Sequence, residues 1–398
     1  MLAWINARAG ELADSLWKPF WQWELARPWP WRLALLLVFL LAGFCLGRPD
    51  DAKQLGREGR DAIRVSLAGL GAQGRIPLRT SLVRRVAGER QRLIRSVELD
   101  LHNPDGIGMT PWAASQAVVA LPVPELAKID VSSTTDFVLG PRFQACFCWT
   151  EDPSRTDEPR AMHISGWALS ALAKMHRAPS SEELDNLLGV AFPDGSWPMF
   201  AELKSEPVAA SVYATSWMLM GLVSLRDAGL VPAQSRGKVD NAIARAQQWL
   251  LQSRRKNGRW KDFPNMVGSR PTVAISALAL HALHYAKAPD LTDLDHDWLQ
   301  NLPPSGLKLG DPENHYTELG AQKIFKDTFA QFPVEWSLVA TADAFPNGAL
   351  MEKVKALEWI ETVTSDKTLR EADASSVNWW RAELLCSVNY LYDRTAPA

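Results

Sequence analysis

The sequence predicts an all-α chain: about six helix hairpins closed into a double-layered ring, preceded by one transmembrane helix. Three observations predict it. Ala- and Leu-rich segments with 3.6-residue periodicity fill the chain beyond residue 80, two classes of such segment alternate at intervals of roughly 45 to 60 residues, and one uncharged apolar run stands near the start. The division that follows is an interfacial amphipathic segment at 1–31, a transmembrane helix at 32–48, a linker at 49–80 and the helical ring at 81–398.

Composition sets the bounds. With 398 residues, 47% of them hydrophobic and 22% charged, the chain can bury a large core. Its 43 basic and 45 acidic residues leave a formal net charge of −2, so no global field attracts a polyanion, and nucleic acid is not an expected partner. Eighteen tryptophans against five tyrosines point to aromatic-lined cavities, a membrane interface, or both. Cys45 falls in the apolar run, Cys386 stands alone, and Cys146 and Cys148 are too close in sequence to bridge easily. No disulfide framework is therefore expected, which favours a reducing compartment.

The apolar run is "LALLLVFLLAGFCLG", residues 33–47, fenced by Arg32 and Arg48 and preceded by Trp21, Trp23, Trp29 and Trp31. With the "PWPW" in front it approaches the roughly 17 to 20 residues needed to span a bilayer, and the tryptophans stand where an aromatic belt would meet the headgroups. A cleaved signal peptide fits less well, because about thirty polar and aromatic residues come first. Leu12, Leu16, Phe20 and Trp23 recur at helical intervals, so the segment before the span suits the membrane surface. Basic residues are nearly balanced across the span. The small excess after it, with the unpaired cysteines, favours a single-pass inner-membrane protein whose ring faces the cytoplasm, while the commoner single-anchor arrangement would place the ring outside, and both topologies stay open.

Beyond the linker the segments sort into two classes. One is rich in small apolar residues: "PWAASQAVVAL", "HISGWALSALAKM", "SVYATSWMLMGLVSL", "PTVAISALALHALHYA", "VEWSLVATADAF" and "NWWRAELLCSVNYLY". The other is amphipathic and often ends in Asn-Gly or Asp-Gly, as in "LDNLLGVAFPDGSWPMF" and "AQQWLLQSRRKNGRWKDF". An amphipathic helix covers the outside, the glycine supplies the positive φ that lets the chain reverse, and Trp197 or Trp260 packs back over neighbouring helices. Segments apolar all round suit an inner layer in contact with protein on every side. One pair cannot bury its own faces; closing about six into a ring does so, and an open solenoid is the alternative. "FQACFCW" is the exception, read as a short strand or an extended connector.

These segments resemble the α/α-toroid superfamily of terpenoid cyclases and protein prenyltransferase β subunits. Trp249, Leu250, Gln252, Gly258 and Trp260 hold the places of the Gln-and-Trp repeat of squalene and hopene cyclases, while "PDGSW" and "SVYATSWMLMGL" match its turn and following inner helix. The resemblance spans about residues 80–398 and implies a toroid around an apolar cavity that takes isoprenoid groups. The family's catalytic motifs do not come with it. No Asp-x-Asp-Asp acid is present; "DLTDLDHDW" lacks the adjacent pair and reads as an acidic loop before a helix start. The zinc of prenyltransferases has only weak counterparts in Cys146, Cys148 and His163, better read as buried apolar residues, so no cofactor is expected.

The bodies of the inner helices are too apolar for chemistry, so polar residues at their beginnings are the expected cavity rim: His163, Tyr213, Thr215, Arg270, Thr272, Glu335, Asn378, Arg381 and Glu383, with Trp336 and Trp379 beside them. Arg270 is placed to hold a phosphate or carboxylate at a helix start, with capping and rim salt bridges as the plainer roles. Trp112, Trp167, Trp217 and Trp380 complete the expected walls. The predicted partners are the bilayer and a hydrophobic or isoprenoid-like small molecule, or a partner protein. Divergent enzymes of the cyclase or prenyltransferase class, an α/α-barrel carbohydrate enzyme using two carboxylates such as Glu335 with Asp194 or Glu383, and a scaffold or defence module are the alternatives. Phosphate-loop, H-E-x-x-H and G-x-S-x-G motifs are all missing.

Overall fold

A helix start needs side-chain acceptors for its exposed amides, and the buried helices of this chain repeatedly find them at the residue before the first turn. The computed structural model describes residues 80–102, 110–128, 145–150, 159–266, 269, 271–289, 291, 297–300, 315–319, 323–327, 339–340, 343 and 378–395. All belong to the second of the chain's two units, Leu78–Ala398. The interfacial segment, the transmembrane run and all but the last residue of the linker lie outside them. Among the described residues no helix is long and apolar enough to cross a membrane.

Most of the chain is helical. α1 is Thr80–His102, α2 Pro111–Ala120, α3 Val123–Leu126, α4 Met162–Lys174, α5 Ser181–Leu188, α6 Val212–Asp227, α7 Arg236–Ser253, α8 Val273–Tyr285, α9 Asp297–Gln300 and α10 Asn378–Thr395. The two sequence classes become two kinds of helix. α2, α4, α6 and α8 are buried along nearly their whole length, whereas α5 buries only Leu184 and Leu187, and α7 a single stripe of Val239, Ala242, Ile243, Ala246, Trp249 and Leu250. Thr110, Ser211 and Thr272 cap α2, α6 and α8 through their hydroxyls, and Ser180 with Glu183 forms a capping box on α5.

Buried helices pack in sequence order: α2 on α4, α4 on α6, α6 on α8. The circuit continues through Asp343, which accepts from His281 of α8 and Tyr390 of α10, and α10 packs on α2 and α1. The tightest passage is between α4 and α6. A Cβ on Gly166 would lie 2.4 Å from the Trp217 carbonyl carbon, and one on Gly221 2.6 Å from the Gly166 oxygen, so glycine at both positions permits backbone to meet backbone.

The reversals follow the predicted chemistry. Gly195 and Gly258 adopt φ of 93° and 74°. After each, a tryptophan returns to full burial and its backbone N–H donates to a hydroxyl one turn into the next buried helix, Trp197 to Thr215 at 3.0 Å and Trp260 to Ser276 at 3.1 Å. The Trp260 indole also donates to the Leu250 carbonyl at 2.7 Å, closing the end of α7.

Short strands sit among the helices: β1 (Trp197–Pro198) pairs with β2 (Ala210–Ser211), and β3 (His315–Leu319) forms an antiparallel hairpin with β4 (Lys323–Asp327). One expectation needs correction, that of Cys146 and Cys148, which are joined as a disulfide. Phe147 between them has φ of 49°, which folds residues 145–147 into a turn and brings the two Cα atoms to 5.3 Å, within bridging range. Residues 145–147 are therefore a turn, and the two cysteines are not free thiols.

Replacing Gly166 with Ala should lower stability by about 1–3 kcal/mol or more, since a backbone carbonyl cannot yield as a side chain can. Gly88→Ala, on α1 with nothing near its Cβ position, should instead raise stability by up to about 1 kcal/mol. Urea denaturation of both variants gives the comparison.

Candidate functional site

Aromatic side chains pack together at the starts of the buried helices. His163 packs against Trp112 (5.3 Å between ring centroids) and Tyr213 (4.9 Å), all three buried. Burial alone pulls the His163 imidazole down to about 3, so it is neutral at physiological pH. Thr215 donates to the Ser211 carbonyl and accepts from the Trp197 amide, which leaves it structural. Asp262, a residue sequence reasoning passed over, is 2% exposed and accepts from the Ser211 hydroxyl at 2.7 Å and the Tyr213 amide at 2.9 Å, completing the cap of α6. Its place two residues after the second reversal tryptophan was the available signal.

Arg381 also turns out to be structural. It forms a bidentate pair with Asp100 of α1 at 2.7–3.1 Å, both buried, and so ties the last described helix to the first. Glu383 accepts from Gln116 of α2 at 3.1 Å. The structure therefore brings His163 and Tyr213 together and engages Thr215 and Arg381 in hydrogen bonds with Ser211, Trp197 and Asp100. Arg270, Glu335 and Trp336 lie outside the described residues, as does the side chain of Trp379. Cys146 and Cys148 are bonded to each other, and the described residues contain no group of three His, Cys, Asp or Glu side chains close enough to share a metal ion.

The cavity lies at the opposite ends of the same helices. It holds about 380 Å³, within the range of small-molecule sites. Trp167 and Trp217, both expected as wall residues, stack at 3.9 Å with 29° between their planes, and Val119, Met220 and Val339 extend the apolar surface. Lys174, Asp227 and Tyr285, the last residues of α4, α6 and α8, all line it. Those three helices end alike. An amide five residues beyond a leucine returns to that leucine's carbonyl, Arg177 to Leu172, Leu230 to Leu225 and Ala288 to Leu283, at 2.9–3.0 Å. A positive-φ residue, His176, Gly229 or Lys287, precedes each of these amides.

Polar groups collect here. The Lys174 ammonium donates to the carbonyls of Val119, at 2.5 Å, and Leu121, capping the end of α2. Burial pulls it down to about 8, only partly opposed by Cys386. The Cys386 thiol is pushed up to about 11 by burial, against the opposing pull of Lys174. Burial also raises the Tyr285 phenol, which shares a hydrogen bond with Ser224 at 3.0 Å. His281 meets Asp343 through Nδ1 at 2.7 Å, and the Tyr390 hydroxyl bonds the other Asp343 oxygen.

Lys174, Asp227, His281, Tyr285 and Tyr390 were absent from the expected rim because polar groups were sought at helix starts. A signal did exist: aligning "LAKMHR", "LRDAGL" and "LHYAKA" on their leucines puts a polar residue two places on in each.

No family model matches the chain, and no curated protein matches it. Among solved structures, an ent-copalyl diphosphate synthase from Streptomyces platensis aligns with 71% of this chain and 50% of its own, at a TM-score of 0.46 and 14% identity. The chain thus spans about half the length of that protein. Identity and score are both too low for function to follow from the likeness.

Two outcomes are expected. His163 has an ordinary value of 6.5 and a folded value of about 3, so between those limits the unfolded chain binds a proton that the folded chain refuses, and stability falls as pH falls. Its share of the slope approaches roughly 1.4 kcal/mol per pH unit, and His163→Leu should remove that share from the wild-type denaturation midpoints measured between pH 6.5 and 4. Arg381→Met, which strands a buried carboxylate, should cost about 3–5 kcal/mol, most of it recovered in the double variant with Asp100→Leu.

Proposed function

We propose that this chain is a membrane-anchored α/α toroid, about six helix hairpins in a double-layered ring, that binds a hydrophobic or amphipathic, isoprenoid-like ligand between the ends of its inner helices without carrying out a cyclisation. One observation carries the ligand: a cavity of about 380 Å³ with a stacked tryptophan pair on its wall and polar side chains at its rim. Flat indole surface matches an unsaturated or branched hydrocarbon, and the rim gives a polar head somewhere to bond. The circuit of contacts from α2 through α8, Asp343 and α10 back to α2 supports closure into a ring. The uncharged run at 33–47 supports an anchor, which would hold the cavity beside the phase in which such a ligand dissolves.

A second reading, a divergent enzyme acting on an isoprenoid or polyprenyl-phosphate substrate, is favoured by His281. Its Nδ1 faces a carboxylate that also takes a tyrosine hydroxyl, an arrangement that fixes the orientation of an imidazole on the cavity wall.

Native mass spectrometry of the detergent-purified full chain should show a recurrent lipid-sized adduct. Trp217→Ala, which removes one face of the stack, should weaken it up to about tenfold, from the roughly 0.5–1.5 kcal/mol that an aromatic contact of this kind contributes. A cavity that carries no mass under any extraction condition would refute the binding reading. For the anchor, the wild type should sediment with membranes and a chain lacking residues 1–48 should not.

A further inference from the structure

Lys174 is the one lysine or arginine among the described residues that lines the cavity. Among the described residues no carboxylate forms an ion pair with it. Its ammonium is held by two backbone oxygens of the α2 end, those of Val119 and Leu121. A neutral amine has two N–H bonds and one lone pair. Both N–H groups can remain on these carbonyls, which turns the lone pair away from the helix end and makes the nitrogen a fixed nucleophile rather than a mobile one.

Its surroundings favour that form. Withdrawal from water brings the ammonium down to about 8, so about a tenth is free amine at neutral pH, against less than about a thousandth for an ordinary lysine. The Cys386 thiol and the Tyr285 phenol, both raised by burial, stay protonated and can give a proton to a departing oxygen. The stacked indoles make one wall water-poor, which slows hydrolysis of whatever forms there.

We propose that Lys174 captures an apolar aldehyde lodged in this cavity as a covalent imine, an inference that rests on the cavity's binding an apolar ligand. Nζ attacks the carbonyl carbon to give a carbinolamine, whose oxygen takes a proton and leaves as water while the C=N bond forms. One amine and one aldehyde yield one imine and one water, with no change of oxidation state. The ligand class is an aldehyde on a long alkyl or isoprenoid chain, released again by water.

The test uses the full chain in detergent with decanal as probe and decanol as its non-reactive counterpart. Binding of each is followed by quenching of tryptophan emission, and the aldehyde complex is then reduced with borohydride and mapped by peptide mass spectrometry. The expected result is a reduced adduct at Lys174, favoured about tenfold or more over any other lysine, as its larger free-amine fraction predicts. In Lys174→Arg, which keeps a cation able to bond the same carbonyls, the site adduct should vanish while decanol still quenches. Equal quenching by both probes with no preference for Lys174 would overturn the imine and leave the binding cavity standing. Absence of quenching by either probe would overturn both.

Discussion

The passage of α4 against α6 at Gly166 and Gly221 is the constraint on which the described architecture turns. Without a Cβ at either position the two backbones meet directly, and the next residue along α4, Trp167, falls opposite Trp217 at stacking distance. The stack walls the cavity, so its apolar surface follows from two missing side chains. Larger residues there would part the helices, separate the indoles and lose dispersion contacts on both sides.

The ends of the buried helices differ in kind because they satisfy their backbone differently. At the starts, short hydroxyl side chains and Asp262 take the exposed amides, and Trp112, His163 and Tyr213 pack together as an aromatic cluster. At the other ends of α4, α6 and α8 a carbonyl is taken by an amide of the same chain just past a left-handed residue, while the end of α2 is taken by the Lys174 side chain. That asymmetry puts the aromatic packing at one side and Lys174, Asp227 and Tyr285 around an opening at the other.

Much of the repeat was legible in the sequence. The glycine turns at 195 and 258, the tryptophans that return after them, the buried and half-buried helix classes and the wall residues Trp167 and Trp217 all follow from local composition and spacing. The rim did not. Helix starts draw attention because their amides invite polar partners, yet for that same reason Thr215 and Asp262 were already committed to the backbone. Arg381 was claimed by Asp100, 281 positions earlier, and the histidine on the cavity wall by Asp343, pairings that no short window of sequence can show.

What the sequence determined by itself is therefore periodic and local: which helices are wrapped by protein, which face solvent, and where the chain turns back, because these depend on residues within a turn or two of one another. The tertiary structure decided which end of the helix set opens, which polar residues are spent on packing, and that Cys146 reaches Cys148 across a left-handed Phe147. Those outcomes depend on distances between segments far apart in the chain, or on a single backbone angle, and neither leaves a trace in composition.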